Sequence, residues 1–122
     1  MKKDESFPRK HRLRLKRDFS RLRSIGKSIS NDCLVLVYID NDLGYCRVAT
    51  TIKKNFGKAF LRNRFKRFVR EIFRKNKMYF DGGYDLLIIP RKKLADTFKE
   101  IRFHEFERYF IDLLEKAEIW NK

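Results

Sequence analysis

The sequence predicts an α+β domain, a mixed α/β sandwich in which helices pack on a mixed sheet, and three features carry that prediction. Apolar, β-branched runs bounded by turn residues occur near residues 34–39, 45–52 and 84–89. A stretch of 20 residues, Lys58 to Lys77, contains neither Pro nor Gly. Helical periodicity precedes, separates and follows the strand-like runs, giving the order helix, strands, helix, strand, helix. The 122 residues suffice for one ordinary domain.

Residues 1–14 are basic, contain Pro8 and show little apolar patterning. They read as a mobile arm that orders on a polyanion, or as a solubilising tail, ahead of a single domain over 15–118. From Lys16 to Ser24, Phe19, Leu22 and Ile25 recur at helical spacing, with Asp18 as the N-cap and Gly26 as the stop. The Ser-rich stretch Lys27 to Asn31 gives a weak strand signal either way. Leu34 to Ile39 is a strand, Asp40-Asn41-Asp42-Leu43-Gly44 is a turn, and Tyr45 to Ile52 is expected to return antiparallel to the first strand.

Lys58 to Lys77 is expected to form one long helix. At about 100° per residue, Leu61, Phe65, Phe68, Val69 and Ile72 share a stripe wide enough to face a core. Arg62, Asn63, Lys66, Arg67, Arg70 and Arg74 fall opposite. Asp81-Gly82-Gly83 breaks the chain, Tyr84 to Ile89 makes a buried strand and Pro90 stops it. Thr97 to Leu114 is expected to be a single closing helix through Phe98, Ile101, Phe103, Phe106, Phe110 and Ile111.

Charge narrows the function. There are 31 Lys or Arg against 16 Asp or Glu, a net charge of +15, alongside 43% hydrophobic residues that include twelve Phe. Such a chain can bury a core, which separates it from a disordered basic tail. Its field attracts polyanions, nucleic acid before an anionic membrane surface, and argues against a small-molecule substrate. The excess is concentrated: residues 1–30 carry +8, residues 53–77 carry +10, and residues 94–122 carry −2. Like charges at i and i+4 weaken a helix, so a helix with one acid in 25 residues points to a bound polyanion. Repeated cations match phosphate spacing, and Asn63 adds a group able to hydrogen-bond base or sugar edges.

Catalytic chemistry is poorly supplied. His11 lies in the arm and His104 in the last helix, neither with a partner in sequence, and Asp40 and Asp42 read as a solvated turn rather than a cation loop. No catalytic residue and no metal ligand is assigned to the protein. Cys33 and Cys46 fit no zinc or redox spacing and read as reduced core thiols. The longest apolar run, Leu34 to Ile39, is far short of the about 20 residues that span a bilayer, so no membrane association and a cytoplasmic location are expected.

The segment Lys53-Lys54-Asn55-Phe56-Gly57-Lys58-Ala59-Phe60-Leu61-Arg62-Asn63-Arg64-Phe65-Lys66-Arg67-Phe68-Val69-Arg70-Glu71 resembles the signature of the bacterial ribonuclease P protein subunit family. The likeness extends through Leu15-Lys16-Arg17-Asp18-Phe19, Arg47-Val48 and Tyr84-Asp85-Leu86-Leu87-Ile88-Ile89. The resemblance implies a ribosomal-protein-like fold: a roughly four-stranded mixed sheet, a short first helix, a long basic helix in a left-handed crossover, and a C-terminal helix. It implies a subunit of an endoribonuclease whose catalyst is RNA. The protein would bind that catalytic RNA and the 5′ leader of precursor tRNA, and assist leader removal with Mg²⁺ held mainly by the RNA.

On the same basis Lys53, Lys54, Lys58, Arg62, Asn63, Arg64, Lys66, Arg67, Arg70 and Arg74 are the expected RNA contacts. Phe19, Arg23, Tyr38 and Thr51 are the expected leader cleft, with Phe19 stacking on an unpaired base. Arg23 stands where the family often has a second aromatic. The family's cleft tyrosine aligns with Leu36 or Val37, leaving Tyr38 as its substitute or as core. A ribosomal or other structural RNA-binding protein is the alternative, sharing the charge but not the full motif.

Overall fold

The computed structural model describes residues 6–122. The main elements run α1 Lys16–Ile25, β1 Lys27–Ser30, β2 Leu34–Asp40, β3 Arg47–Thr50, α2 Ala59–Asn76, β4 Tyr84–Pro90, α3 Lys92–Thr97 and α4 Phe103–Lys116. The four strands form one mixed sheet in the order β1-β2-β4-β3, antiparallel except for the parallel β3–β4 pair. The α+β prediction holds, and the weak signal at Lys27 proves to be a strand.

Three expectations are corrected. Tyr45–Ile52 does not return beside Leu34–Ile39: β4 lies between them, and only Arg47–Thr50 is strand. Leu86, Leu87 and Ile88 are all buried, so β4 has apolar side chains on both faces and takes the centre, leaving the four-residue β3 at the edge. The turn after β2 is tied to the start of β4 instead. Asn41 donates its backbone N–H to Gly83 O and its side-chain amide to Asp85 and Tyr45 O. A Cβ on Gly83 would lie 2.6 Å from Asn41 Oδ1, so only glycine permits that approach.

Second, the closing helix is two. Thr97 Oγ1 bonds back to Lys93 O, α3 stops, and α4 begins at Phe103. Third, Asp18 is not a cap: Leu15 occupies that position with no side-chain cap bond, and Asp18 in the first turn pairs with Arg47. Of the expected arm, residues 1–5 lie outside the described residues. Residues 7–13 pack on the domain, because His11 and Leu13 are buried and Leu13 N–H donates to Val48 O at the sheet edge.

The sheet's two faces differ. Leu34, Leu36, Val48, Leu86 and Ile88 join Phe65, Phe73, Phe98, Phe106 and Phe110 in the main core under α2 and α4. On the other face the buried apolar cluster of the described residues is Leu13, Leu22 and Leu87, with Phe19, Val37, Ile39, Ala49 and Ile89 partly covered around them. Cys33 and Cys46 are free and buried, and burial pushes the Cys46 thiol up to about 12.

Candidate nucleic-acid interface

The helix α2 has a cationic back and two distinct edges. Phe65, Val69, Ile72 and Phe73 are buried in the core, while Asn63, Lys66, Arg67 and Arg70 are exposed. Lys53, Lys54 and Lys58, leading into the helix, are exposed as well. Arg62 is half-buried and begins the row Arg62, Lys66, Arg70 along one edge. That edge borders a groove of about 300 Å³ between the N-terminal segment, α1, β3 and α2.

Four cations, Arg12, Arg14, Lys66 and Arg70, line this groove together with the rings of Phe7 and Phe19 and a floor of Leu13, Val48, Ala49 and Val69. The two cationic blocks of the sequence thus meet in one place. Phe7, Arg12 and Arg14 were not singled out by sequence reasoning. The signal for the two arginines is the alternation His11-Arg12-Leu13-Arg14, buried and exposed by turns, which is strand-like pairing to an edge, while Phe7 has no such signal.

A buried ionic network positions α1 over this face. Arg47 donates from Nε and Nη2 to the two oxygens of Asp85, at 2.8 and 2.7 Å, and from Nη1 to Asp18 of α1 at 3.2 Å. Asp85 is 1% exposed and also accepts from Asn41 Nδ2. The hydrogen bonds to Asp85 raise the Arg47 pKa further above its already high value, against the lowering effect of burial. Phe19, one residue beyond Asp18, is thereby held beside the groove, with the Arg23 guanidinium 5.9 Å from its ring centre.

Not all predicted contacts gather there. Tyr38 packs into the main core on the opposite sheet face, while Val37 faces α1, so Tyr38 is no substitute for a cleft tyrosine. The cause is strand alternation: one residue of register exchanges the faces. Thr51 is half-buried, continues the pairing through its N–H to Ile88 O, and is not among the groove residues.

Arg64 turns inward. Its guanidinium donates to the carbonyls of Phe98, Lys99 and Ile101 at 3.2, 3.4 and 2.8 Å, and lies over the rings of Phe68 and Phe98. It holds the break between α3 and α4, because those carbonyls have no helical partner there. Arg74 is paired with Glu71 at 2.9 Å, a bond that holds the Glu71 carboxyl below its usual range. His11 is buried, with Nδ1 2.6 Å from Cys46 O, whereas His104 is exposed. Asp40 accepts the Asp42 N–H in an exposed turn. Among the described residues, no group of three or more His, Cys, Asp or Glu side chains is placed to hold a metal ion, and no helix is long and apolar enough to cross a membrane.

The profile of the family described as Ribonuclease P matches residues 7–118. The chain belongs to the ribonuclease P protein family. It is 44% identical over 114 residues to the ribonuclease P protein component of Thermotoga maritima, covering 93% of this chain and 97% of the relative. The counterpart from Petrotoga mobilis is 39% identical over the same length, with the same coverage. The solved Thermotoga maritima RNase P protein in complex with 1-(4-fluorophenyl)-2-thiourea superposes with a TM-score of 0.81, over 84% of this chain and 96% of that one. A Staphylococcus aureus RNase P protein gives 0.81 at 26% identity, over 91% of this chain and 98% of that one. Ribonuclease P membership accounts for the cationic α2, since the family's proteins are the protein components of a ribonucleoprotein endonuclease and so have an RNA partner.

Proposed function

We propose that this protein binds the catalytic RNA subunit of ribonuclease P and the 5′ leader of precursor tRNA in the cytoplasm, and assists Mg²⁺-dependent removal of the leader. The observation that carries the reading is the groove in which Arg12, Arg14, Lys66 and Arg70 surround an apolar floor beside Phe19. Single-stranded RNA needs both parts: cations for the phosphates and an aromatic face for an unpaired base. Duplex RNA does not need the ring. The exposed back of α2, with Asn63, Arg67 and the approach from Lys53 to Lys58, serves the catalytic RNA.

Neutralising phosphates lets two polyanions approach, which raises substrate affinity and lowers the Mg²⁺ the complex requires. Mg²⁺, held mainly by the RNA, supplies activation of the attacking water. The protein's residues bind and orient.

Reconstitution tests this. Precursor tRNA at low Mg²⁺ should be cleaved only when catalytic RNA and protein are both present, and the protein alone should cleave nothing. Single-turnover rates at saturating protein and Mg²⁺ should be unchanged by substitution of His104, Asp40 or Asp42. A hundredfold drop for any of them, with binding intact, would place a catalytic group on the protein.

A further inference from the structure

We infer that Phe60 is an additional RNA contact, an exposed ring that stacks on an unpaired base of the catalytic RNA outside the leader groove; this rests on the function proposed above. Of the twelve Phe residues, eleven are buried or half-buried, and Phe60 alone is exposed, at 60%. It belongs to neither hydrophobic cluster of the described residues, while its neighbour Leu61 packs against the main core. Folding therefore does not explain the ring. A residue such as Ala, Lys or Gln suits an exposed helical position better than Phe does.

Its surroundings identify the occupant. Phe60, Asn63 and Arg67 fall at i, i+3 and i+7, one exposed face of α2, and Arg64 at i+4 is turned into the protein. The face therefore combines a ring, an amide and a guanidinium in a segment, residues 53–77, whose net charge is +10. A second copy of the chain is disfavoured by repulsion at +15, and a polyanion is favoured by the same charge. A flat ring among cations suits a nucleobase with its flanking phosphates. Phe60 lies away from the Arg62, Lys66 and Arg70 edge that borders the groove, so a leader strand seated there leaves this face to the catalytic RNA.

The test uses the full chain and a transcript of the catalytic RNA, with three variants: Phe60→Ala, Phe60→Trp, and Lys53→Ala/Lys54→Ala/Arg67→Ala, on the surface assigned to that RNA, as a charge control. Phe60→Ala should weaken binding to the catalytic RNA by roughly 5- to 150-fold, the range for one base–aromatic stack, with an unchanged salt slope and melting temperature. Phe60→Trp should retain affinity, and its emission should be quenched on binding, over the constant background of Trp120, which is 8% exposed. Wild-type affinity for Phe60→Ala, with the charge control weakened, would remove the ring from the interface while leaving the proposed function intact. If both bind like wild type, the proposed function fails with it. A loss seen only with precursor tRNA, or a wild-type dimer in sedimentation that Phe60→Ala abolishes, would also overturn the assignment.

Discussion

The two faces of the sheet divide stability from binding. Under α2 and α4 the face is closed by a large, aromatic-rich core in which Phe65 touches the rings of Phe56, Phe98 and Phe106 edge to face. On the α1 face three apolar side chains form the buried cluster of the described residues, and the helix is tethered by ions, Asp18 and the buried Asp85 bridged through Arg47. The groove's floor side chains Leu13, Val48 and Val69 are themselves buried, so the groove is preformed, and Phe19 and Ala49 stay half-buried beside it. The thin face keeps its geometry through charge-assisted hydrogen bonds, which fix direction better than area does.

The largest effect expected is on the thick face. Phe65→Ala should cost about 3–5 kcal/mol in urea denaturation, because the ring is fully buried. A loss below 1 kcal/mol would end the division of labour. Next, Asp85→Asn should cost about 2–3 kcal/mol, since Arg47 loses a charged, bidentate partner while keeping Asp18. The thin face should suffer most: hydrogen exchange in α1 should rise more than in α4, and equal rises would show that the network does not hold α1 specifically. Phe19→Ala should then weaken leader-containing substrate by about 1–3 kcal/mol, with little change in melting, because the ring is half-buried at the groove. A melting drop with no leader-specific loss would move Phe19 into the core's account.

The smallest effect separates neighbours on α2. Arg64→Ala should lose about 1–2 kcal/mol of stability with an unchanged salt slope for RNA binding. Arg67→Ala should leave stability within about 0.5 kcal/mol and lower the slope by roughly 0.7–0.9. Swapped outcomes would reverse the assignment of the two residues.

These contrasts show what the sequence could and could not carry. The period of Phe65, Val69 and Ile72 in a Pro- and Gly-free run specifies a helix and its buried side, so α2 was legible almost to the residue. Strand order was not: Leu34–Ile39 and Tyr45–Ile52 are adjacent apolar runs, and nothing local says that Tyr84–Ile89 inserts between them. Tyr38 failed on parity, since a single residue of register decides its face. Arg64 reads as one more cation in a cationic run, because its partners are backbone carbonyls some 35 residues on, which have no sequence signature. His11 and Leu13 were hidden by the charges on either side of them.

The central place of β4 bears on how the chain is made. β1 and β2 can close a hairpin as soon as both have been synthesised, but β3 then has only the bridge to Arg12 and Leu13 beside it and lacks its strand partner β4. It must wait while α2 and the turn after it are translated, a delay of several seconds at about 5–20 residues per second. The arrival of Tyr84–Pro90 pairs both waiting strands at once, so the sheet closes only when its central strand, the last of the four to be made, is in place.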